Sequence, residues 1–176
     1  SGKLLTELST GEIQRTFGVN VYSNFWTLKE FLPLMLERKS GHIVTISSVM
    51  GTQAAAGLTD YCASKFASVG FAKCLRLELQ KLSHGTVKST LICPYAINTG
   101  MFDGLEVSLQ WLYPILEPSW VARRVVDSVI YREDIVVMPK SMDITITILS
   151  AMPLWVTDMI CNTTGALDGM DHFRGH

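Results

Sequence analysis

Residues 41–65 read GHIVTISSVMGTQAAAGLTDYCASK, and this stretch decides the fold. The apolar run that follows Gly41 predicts a buried strand over 41–47. The segment that opens at Asp60 predicts a helix, and small residues connect the two elements. Ligands of open α/β sheets bind beyond the carboxyl ends of the strands, so the end of this strand is where we look for chemistry.

Three side chains of this stretch suit proton transfer at an alcohol oxygen. Tyr61 and Lys65 are four residues apart, which places them on one face of the predicted helix. A phenol with a pKa of about 10 is a poor base near neutrality, but a neighbouring cation lowers that pKa. Ser48 follows the strand, where its hydroxyl would hold a substrate oxygen. Together, these three side chains suit proton transfer to or from an alcohol oxygen, while a nicotinamide exchanges hydride with the substrate.

Composition limits the classes of function. The chain has 176 residues, 48% of them hydrophobic, which is enough to bury the core of one domain. The net charge of −1 argues against a nucleic-acid partner. Cysteines 62, 74, 93 and 161 lack metal-ligand spacing, so we expect reduced thiols and predict no metal site. The chain does not begin with Met, and we expect it to start partway through a longer protein.

Two long helices are predicted on either side of the opening stretch. Ser9-Thr-Gly-Glu12 has the form of a capping box, and the apolar stripe after it predicts a helix over 10–38, in which Pro33 should cause a bend or a local break in the hydrogen bonding. The second helix covers 60–82 and ends at Ser83-His-Gly85. Its apolar residues occupy more than one stripe, so it should pack against the sheet and also against another helix or a second subunit.

The remainder of the chain predicts two further strands and an apolar end. The strands cover 86–93 and 134–138, and a helix begins at Pro118 between them. The apolar segment 144–160 is interrupted by Pro153 and Asp158, whereas a membrane span needs roughly 20 largely apolar residues. An interfacial helix or a tail packed over the substrate mouth are the two interpretations of this segment.

The motif Tyr61-Cys-Ala-Ser-Lys65, with Ser48 thirteen residues before the tyrosine, resembles the YxxxK pattern of the short-chain dehydrogenase/reductase family. The resemblance implies an α/β fold with a partial doubly wound, Rossmann-type parallel sheet, made of the last three of seven strands with flanking helices. The 176 residues contain no TGxxxGxG loop and no NAG tripeptide, so the N-terminal dinucleotide-binding half is expected to be absent. We interpret 1–176 as one incomplete domain, with a catalytic half at 1–139 and an apolar extension at 140–176.

The resemblance assigns roles to several residues. Ser48, Tyr61 and Lys65 would be catalytic, and Lys65 would also contact the nicotinamide ribose beside Tyr61. Asn20 matches the asparagine that holds a water between the lysine and solvent; a polar residue at a helix kink is the alternative. The segment PYAINTGMF resembles the family's PGxxxT loop, which implies that Pro94, Ile97 and Thr99 hold the nicotinamide carboxamide; an ordinary turn after the proline is the alternative.

The same loop departs from the family at one position. Tyr95 stands where glycine is most usual, and a side chain there removes the easy access to positive φ. The following region is the family's variable substrate lid, and its apolar and aromatic residues favour a lipophilic substrate. Core packing is the alternative for any one of them. The candidate lid residues are Met101, Phe102, Leu105 and Trp111.

Four segments resemble the branch of the family that contains the retinol dehydrogenase 10 type and the epidermal retinal dehydrogenases: FLPLMLERKSGHIVTISS at 31–48, YCASKFA at 61–67, CPYAINTGMF at 93–102 and the segment near MDHF at 170–173. This resemblance implies oxidation of retinol with NAD or NADP, NAD slightly favoured, at the endoplasmic reticulum membrane or lipid droplet surface, with the cytoplasm as the alternative. A 17β-hydroxysteroid or other lipid dehydrogenase is the second interpretation. An inactive fragment that binds a partner or a lipid surface is the third. The expected partners are a lipophilic alcohol or carbonyl, a second subunit packed on helices 10–38 and 60–82, and a membrane surface contacted by 144–160, but no nucleic acid.

Overall fold

The computed structural model describes residues 2–100, 104 and 111–163, and its centre is a three-stranded parallel sheet. The strands lie in the order β1 (Gly41–Ile46), β2 (Val87–Pro94), β3 (Ile135–Met138). Gly41 pairs with Val87, and Pro94 pairs with Met138. The three predicted strands and the α/β class are therefore confirmed, and the first strand ends one residue earlier than expected.

Helices cover both faces of this sheet. α3 (Thr59–Ser83) connects β1 to β2, and α4 (Pro118–Ile130) connects β2 to β3. Because successive strand residues point to opposite faces, Val87 packs with α3 residues such as Leu79, whereas Ile92 packs with Val121 of α4. This layering is the partial doubly wound arrangement that the sequence predicts.

The first long helix changes its geometry near Gly18, well before Pro33. The capping box is present: the Glu12 carboxylate accepts from the Ser9 amide over 2.9 Å, and the Ser9 hydroxyl accepts from the Glu12 amide over 3.3 Å. Helix α1 (Thr10–Phe17) then passes into a π-helical turn (Gly18–Tyr22) before α2 (Ser23–Glu37), which continues through Pro33. A π turn re-aims side chains locally, and this one contains Asn20.

The second long helix ends as predicted. His84 adopts a left-handed conformation at φ 48°, and Gly85 follows at φ 85°. Two further helices close the described chain, α5 (Lys140–Ser150) and α6 (Leu154–Thr163). Among the residues that the structure describes, no helix is long and apolar enough to cross a bilayer.

Strand β1 is hydrogen-bonded on one side only within the described ranges. Its single neighbour is β2, and Ile46 near its end is 53% exposed. A strand with one neighbour presents unpaired backbone groups along its other side.

Candidate active site

The loop after β1 brings Ser48 to the carboxyl end of the sheet. The Ser48 hydroxyl accepts from the Met50 amide over 3.2 Å and donates to the Pro94 carbonyl over 3.3 Å. Its side chain is only 6% exposed. These contacts join the end of β1 to the end of β2, where the loop with the candidate cofactor residues begins.

Tyr61 and Lys65 reach the same place from the first turns of α3. A hydrogen bond links the Tyr61 phenol with the Ser48 side chain. The Lys65 ammonium lies over the Tyr61 ring, 5.5 Å from its centre, within the range of a cation–π contact. The structure therefore brings together three of the four predicted catalytic side chains.

The balance of charge at Tyr61 differs from the expectation. Burial raises the pKa of the Tyr61 phenol, and the hydrogen bond with Ser48 opposes that rise without overcoming it. Burial also lowers the pKa of Lys65, because the buried ammonium loses hydration. The expected lowering of the phenol pKa by Lys65 is thus not what this chain shows, since loss of solvent dominates at Tyr61.

Asn20 lies against α3 in the turn that carries Lys65. Its side-chain amide donates to the Ser64 hydroxyl over 3.0 Å. Its main-chain carbonyl accepts from the Ser68 hydroxyl over 2.7 Å and from the side-chain amide of Asn24 over 2.8 Å. The π turn thus ties Asn20 to α3 through both its side chain and its backbone.

The sequence reasoning missed Ser64 and Ser68. Both are buried, at 0% and 1% exposure, and the Ser64 hydroxyl donates to the Tyr61 carbonyl over 2.7 Å. One turn earlier, Thr16 donates to Asp60 over 2.8 Å. Polar residues at four-residue spacing were the sequence signal that could have revealed them. Positions 16 and 20 form one such stripe, and positions 60, 64 and 68 form the stripe that faces it on α3.

The loop after β2 accommodates Tyr95 without a left-handed backbone. Tyr95 is not among the residues with positive φ; its amide donates to the Met138 carbonyl over 2.7 Å, and its ring lies 6.3 Å from that of Tyr113. The side chain therefore does not disturb the loop in the way that its replacement of glycine suggested.

Ile97 and Thr99 lie further along this loop. Ile97 forms a parallel bridge with Leu116, which uses the backbone groups of Ala96 and Asn98. The amide and carbonyl of Ile97 consequently point to the opposite side, where the carbonyl accepts from the Thr99 amide over 2.8 Å. The Ile97 amide thus faces away from the 116 segment.

The candidate lid is only partly within the described structure. Met101, Phe102 and Leu105 lie outside the described residues. Trp111 is 81% exposed, so its ring is a surface group in this structure. The segment after it is tied to α5, because Ser141 donates to the Leu112 carbonyl over 2.8 Å and Tyr113 shares a 2.8 Å hydrogen bond with Thr145.

Known proteins resemble this chain in both sequence and fold. Human epidermal retinol dehydrogenase 2 is 36% identical over 98% of this chain and 56% of its own length. Rat retinol dehydrogenase 10 is 39% identical over 87% of this chain and 46% of its own. The chain thus spans about half the length of these relatives.

Solved structures show the same fold at low sequence identity. A short-chain dehydrogenase from Burkholderia cenocepacia in complex with NADP gives a TM-score of 0.73 at 18% identity, covering 92% of this chain and 63% of its own. One from Burkholderia phymatum in complex with NAD gives 0.69 at 22%, covering 82% and 59%. A model of the family described as short chain dehydrogenase matches residues 1–108. This chain therefore belongs to the short-chain dehydrogenase family.

Proposed function

We propose that this chain carries the catalytic half of an NAD(P)-dependent dehydrogenase that interconverts a lipophilic alcohol and its carbonyl, with retinol and retinal as the favoured pair. The meeting of Ser48, Tyr61 and Lys65 at the carboxyl end of the sheet supports this proposal most directly. The two named retinol dehydrogenases among the relatives support the choice of substrate. Apolar and aromatic residues after Gly100 suit a substrate of this kind.

The chain's own residues would divide the work as follows. Tyr61 takes the alcohol proton at its phenol oxygen, and Ser48 hydrogen-bonds the same substrate oxygen. Lys65, which lies over the Tyr61 ring, holds the cofactor ribose. When bound, the nicotinamide accepts or supplies the hydride.

The described residues fit the nicotinamide end of such a cofactor. Lys65 and Tyr61 offer donors for the ribose, and the Ile97 amide faces the side of the loop away from Leu116, where a carboxamide could accept from it. Pro94 and Thr99 frame this short segment. NAD is slightly favoured over NADP as this cofactor.

Cofactor binding and turnover test the proposal. The purified chain is titrated with NADH and NADPH by fluorescence, and we expect saturable binding that Lys65→Ala weakens. Lys73→Ala is the matched control, because Lys73 is an exposed lysine two turns further along α3. Tyr61→Phe should abolish conversion of retinol while Tyr22→Phe, a change at an exposed tyrosine, should not. Full turnover by Tyr61→Phe, or binding insensitive to Lys65→Ala, would reject the assignment.

We also propose that the chain pairs with a second subunit through helices 10–38 and 60–82. An apolar groove of about 740 Å³ lies between α2 and α3. Phe25, which lines the groove, is 49% exposed, and two other large apolar side chains of α3 are also exposed, Phe66 at 48% and Leu77 at 57%. Exposed apolar patches of this kind mark interaction sites. The same surface would serve the alternative function, in which the chain acts only as a binding partner.

The apolar extension supports a proposed contact with a lipid surface. Ile144 and Ile148 are four residues apart on α5 and more than half exposed, and Trp155 on α6 is 69% exposed. An exposed tryptophan beside aliphatic side chains suits the headgroup region of a bilayer. We therefore propose the endoplasmic reticulum membrane or a lipid droplet as the location, with the cytoplasm as the alternative.

A further inference from the structure

Ser47 makes an unusual contact for a strand-end residue: it holds the main chain of Lys65. Its hydroxyl donates to the Lys65 carbonyl over 3.1 Å, and its side chain is only 3% exposed. The Ser47 amide also donates to the Ile92 carbonyl over 2.8 Å, which fixes its backbone to the sheet. The sheet and the helix turn that carries Lys65 are therefore joined at this serine.

Gly51 meets the same carbonyl from the other end of the loop. A Cβ atom at Gly51 would lie 2.6 Å from the Lys65 oxygen and 2.6 Å from a methyl carbon of Val69. Real Cβ atoms essentially never make contacts this short, so the loop can come this close to the helix only because residue 51 is glycine. Two residues of one short loop thus converge on a single helix carbonyl.

The neighbour of Ser47 contacts the reactive side chain. Ser48 hydrogen-bonds the Tyr61 phenol, while Ser47 holds the backbone one helical turn later at Lys65. We propose that Ser47 is a positioning residue, which with Gly51 fixes the Tyr61–Lys65 turn of α3 against Ser48. This inference rests on the proposed function, because it assigns a part in the alignment of the proton-transferring groups.

The Lys65 carbonyl also accepts a hydrogen bond within helix α3. Loss of the Ser47 hydroxyl should therefore affect the alignment of the site more than the stability of the helix. Inside a helix, each carbonyl accepts from the amide four residues later, so removing the Ser47 hydroxyl leaves no orphaned acceptor at Lys65. The helix should persist without it. The relative placement of Ser48 and Tyr61 should change, since the strand end then loses its hydrogen bond to the backbone of this turn and keeps only the side-chain contact between Ser48 and Tyr61.

Nuclear magnetic resonance of the chain labelled with ¹³C at tyrosine Cζ tests this placement without requiring turnover. The Tyr61 signal is assigned by its loss in Tyr61→Phe. Because the bond with Ser48 lowers the pKa of the phenol, a displaced Ser48 should move the Tyr61 titration to higher pH in Ser47→Ala. Ser47→Thr keeps the hydroxyl and should titrate as the parent chain does.

Ser83→Ala is the matched control. Ser83 is also a buried serine whose hydroxyl donates to a carbonyl of α3, that of Leu79, over 2.7 Å, but it lies at the far end of the helix. We expect its Tyr61 titration to match that of the parent chain. Equal titrations in Ser47→Ala and the parent would overturn the proposal.

A second variant covers the case in which Ser47→Ala does not fold. In Gly51→Ala, the added methyl group should push the loop away from the Lys65 carbonyl, so the Tyr61 phenol should also titrate at higher pH. If both variants fail to fold while Ser83→Ala folds, the role of Ser47 is structural and the proposal is overturned. A chain that lacks turnover but shows the predicted shifts contradicts the proposed function alone, so the two failures are distinguishable.

Discussion

The side-chain amide of Asn20 donates to the Ser64 hydroxyl over 3.0 Å, and Ser64 passes the contact to the Tyr61 carbonyl over 2.7 Å. Removal of the amide in Asn20→Ala leaves a buried hydroxyl without its donor. We expect the free energy of unfolding to fall by about 1 kcal/mol, measured by urea denaturation. Asn98→Ala is the control, because Asn98 is exposed and its bond to Glu117 is 3.4 Å long. Equal effects in the two variants would contradict a stabilising role for the Asn20–Ser64 contact.

Two glycines should respond to alanine with opposite signs. Gly51→Ala places a methyl group against the Lys65 carbonyl, so we expect destabilisation of about 1–3 kcal/mol. Gly70 lies in α3 with nothing within 4 Å of the added atom, and Gly70→Ala should stabilise the chain by roughly 0.5–1 kcal/mol through helix propensity. Thermal and urea unfolding of the pair check both signs. A stabilising Gly51→Ala would disprove the close approach.

His42 should make the stability depend on pH. Its Nε2 lies 2.8 Å from the Thr90 hydroxyl oxygen, and Thr90 donates its own hydrogen to the Glu133 carbonyl, so Nε2 carries a hydrogen. Burial lowers the pKa of His42, and the nearby Arg132 and Lys88 lower it further.

The sign follows from that direction. Above the unfolded pKa of about 6.5, His42 is neutral in both states and its contribution is constant. As pH falls below that value, the unfolded chain binds the proton first, so the folded state loses stability until the folded pKa is passed. Urea midpoints at pH of about 7.5 and about 5.5 should differ more for the parent chain than for His42→Gln. An equal difference in both chains would contradict this.

Association through the long helices should depend on apolar side chains of α3. We expect sedimentation to give twice the mass of the single chain, and Phe66→Glu or Leu77→Glu to give the single mass, because a charge cannot be buried in an apolar contact without a partner. Ile130→Glu is the control, since Ile130 is 66% exposed but lies on α4, which packs on the other face of the sheet. A monomeric parent chain would reject this interface.

Contact with a lipid surface should be visible in the emission of Trp155. Phosphatidylcholine vesicles should shift tryptophan emission to shorter wavelength as the ring enters a less polar region. The shift should disappear in Trp155→Phe and persist in Trp111→Phe, because Trp111 is also a surface ring but lies outside α5 and α6. An unchanged shift in Trp155→Phe would place the contact elsewhere.

Local patterns predicted the elements of this fold well. Strands at 41–47, 86–93 and 134–138, the capping box at Ser9 and the helix end at His84 all follow from short-range signals, and the structure confirms them. The π turn at Gly18–Tyr22 was not predicted from the sequence. A π turn depends on contacts between helices, here the bond from Ser68 to the Asn20 carbonyl, which no local pattern encodes.

The site was predictable to the extent that its residues follow a motif. Ser48, Tyr61 and Lys65 stand at recognisable spacing, whereas the link from Ser47 to the Lys65 carbonyl joins a side chain to a backbone group 18 residues away. The pKa of Tyr61 was expected in the wrong direction, because burial depends on the packing of the whole domain. The polar residues that hold Asn20 recur at four-residue spacing in the sequence, but the contact between the two polar stripes was not predicted.

The close approach of Gly51 to α3 has a consequence for how the length of this chain can vary. Residues 47–51 contact both the sheet and helix α3, so an insertion there would separate Ser48 from Tyr61. Residues 52–57 follow this tightly packed segment, and exposed alanines such as Ala54 and Ala56 occur among them. Changes in loop length are therefore tolerable after Gly51 and damaging before it, which a matched pair of two-residue insertions on either side would reveal.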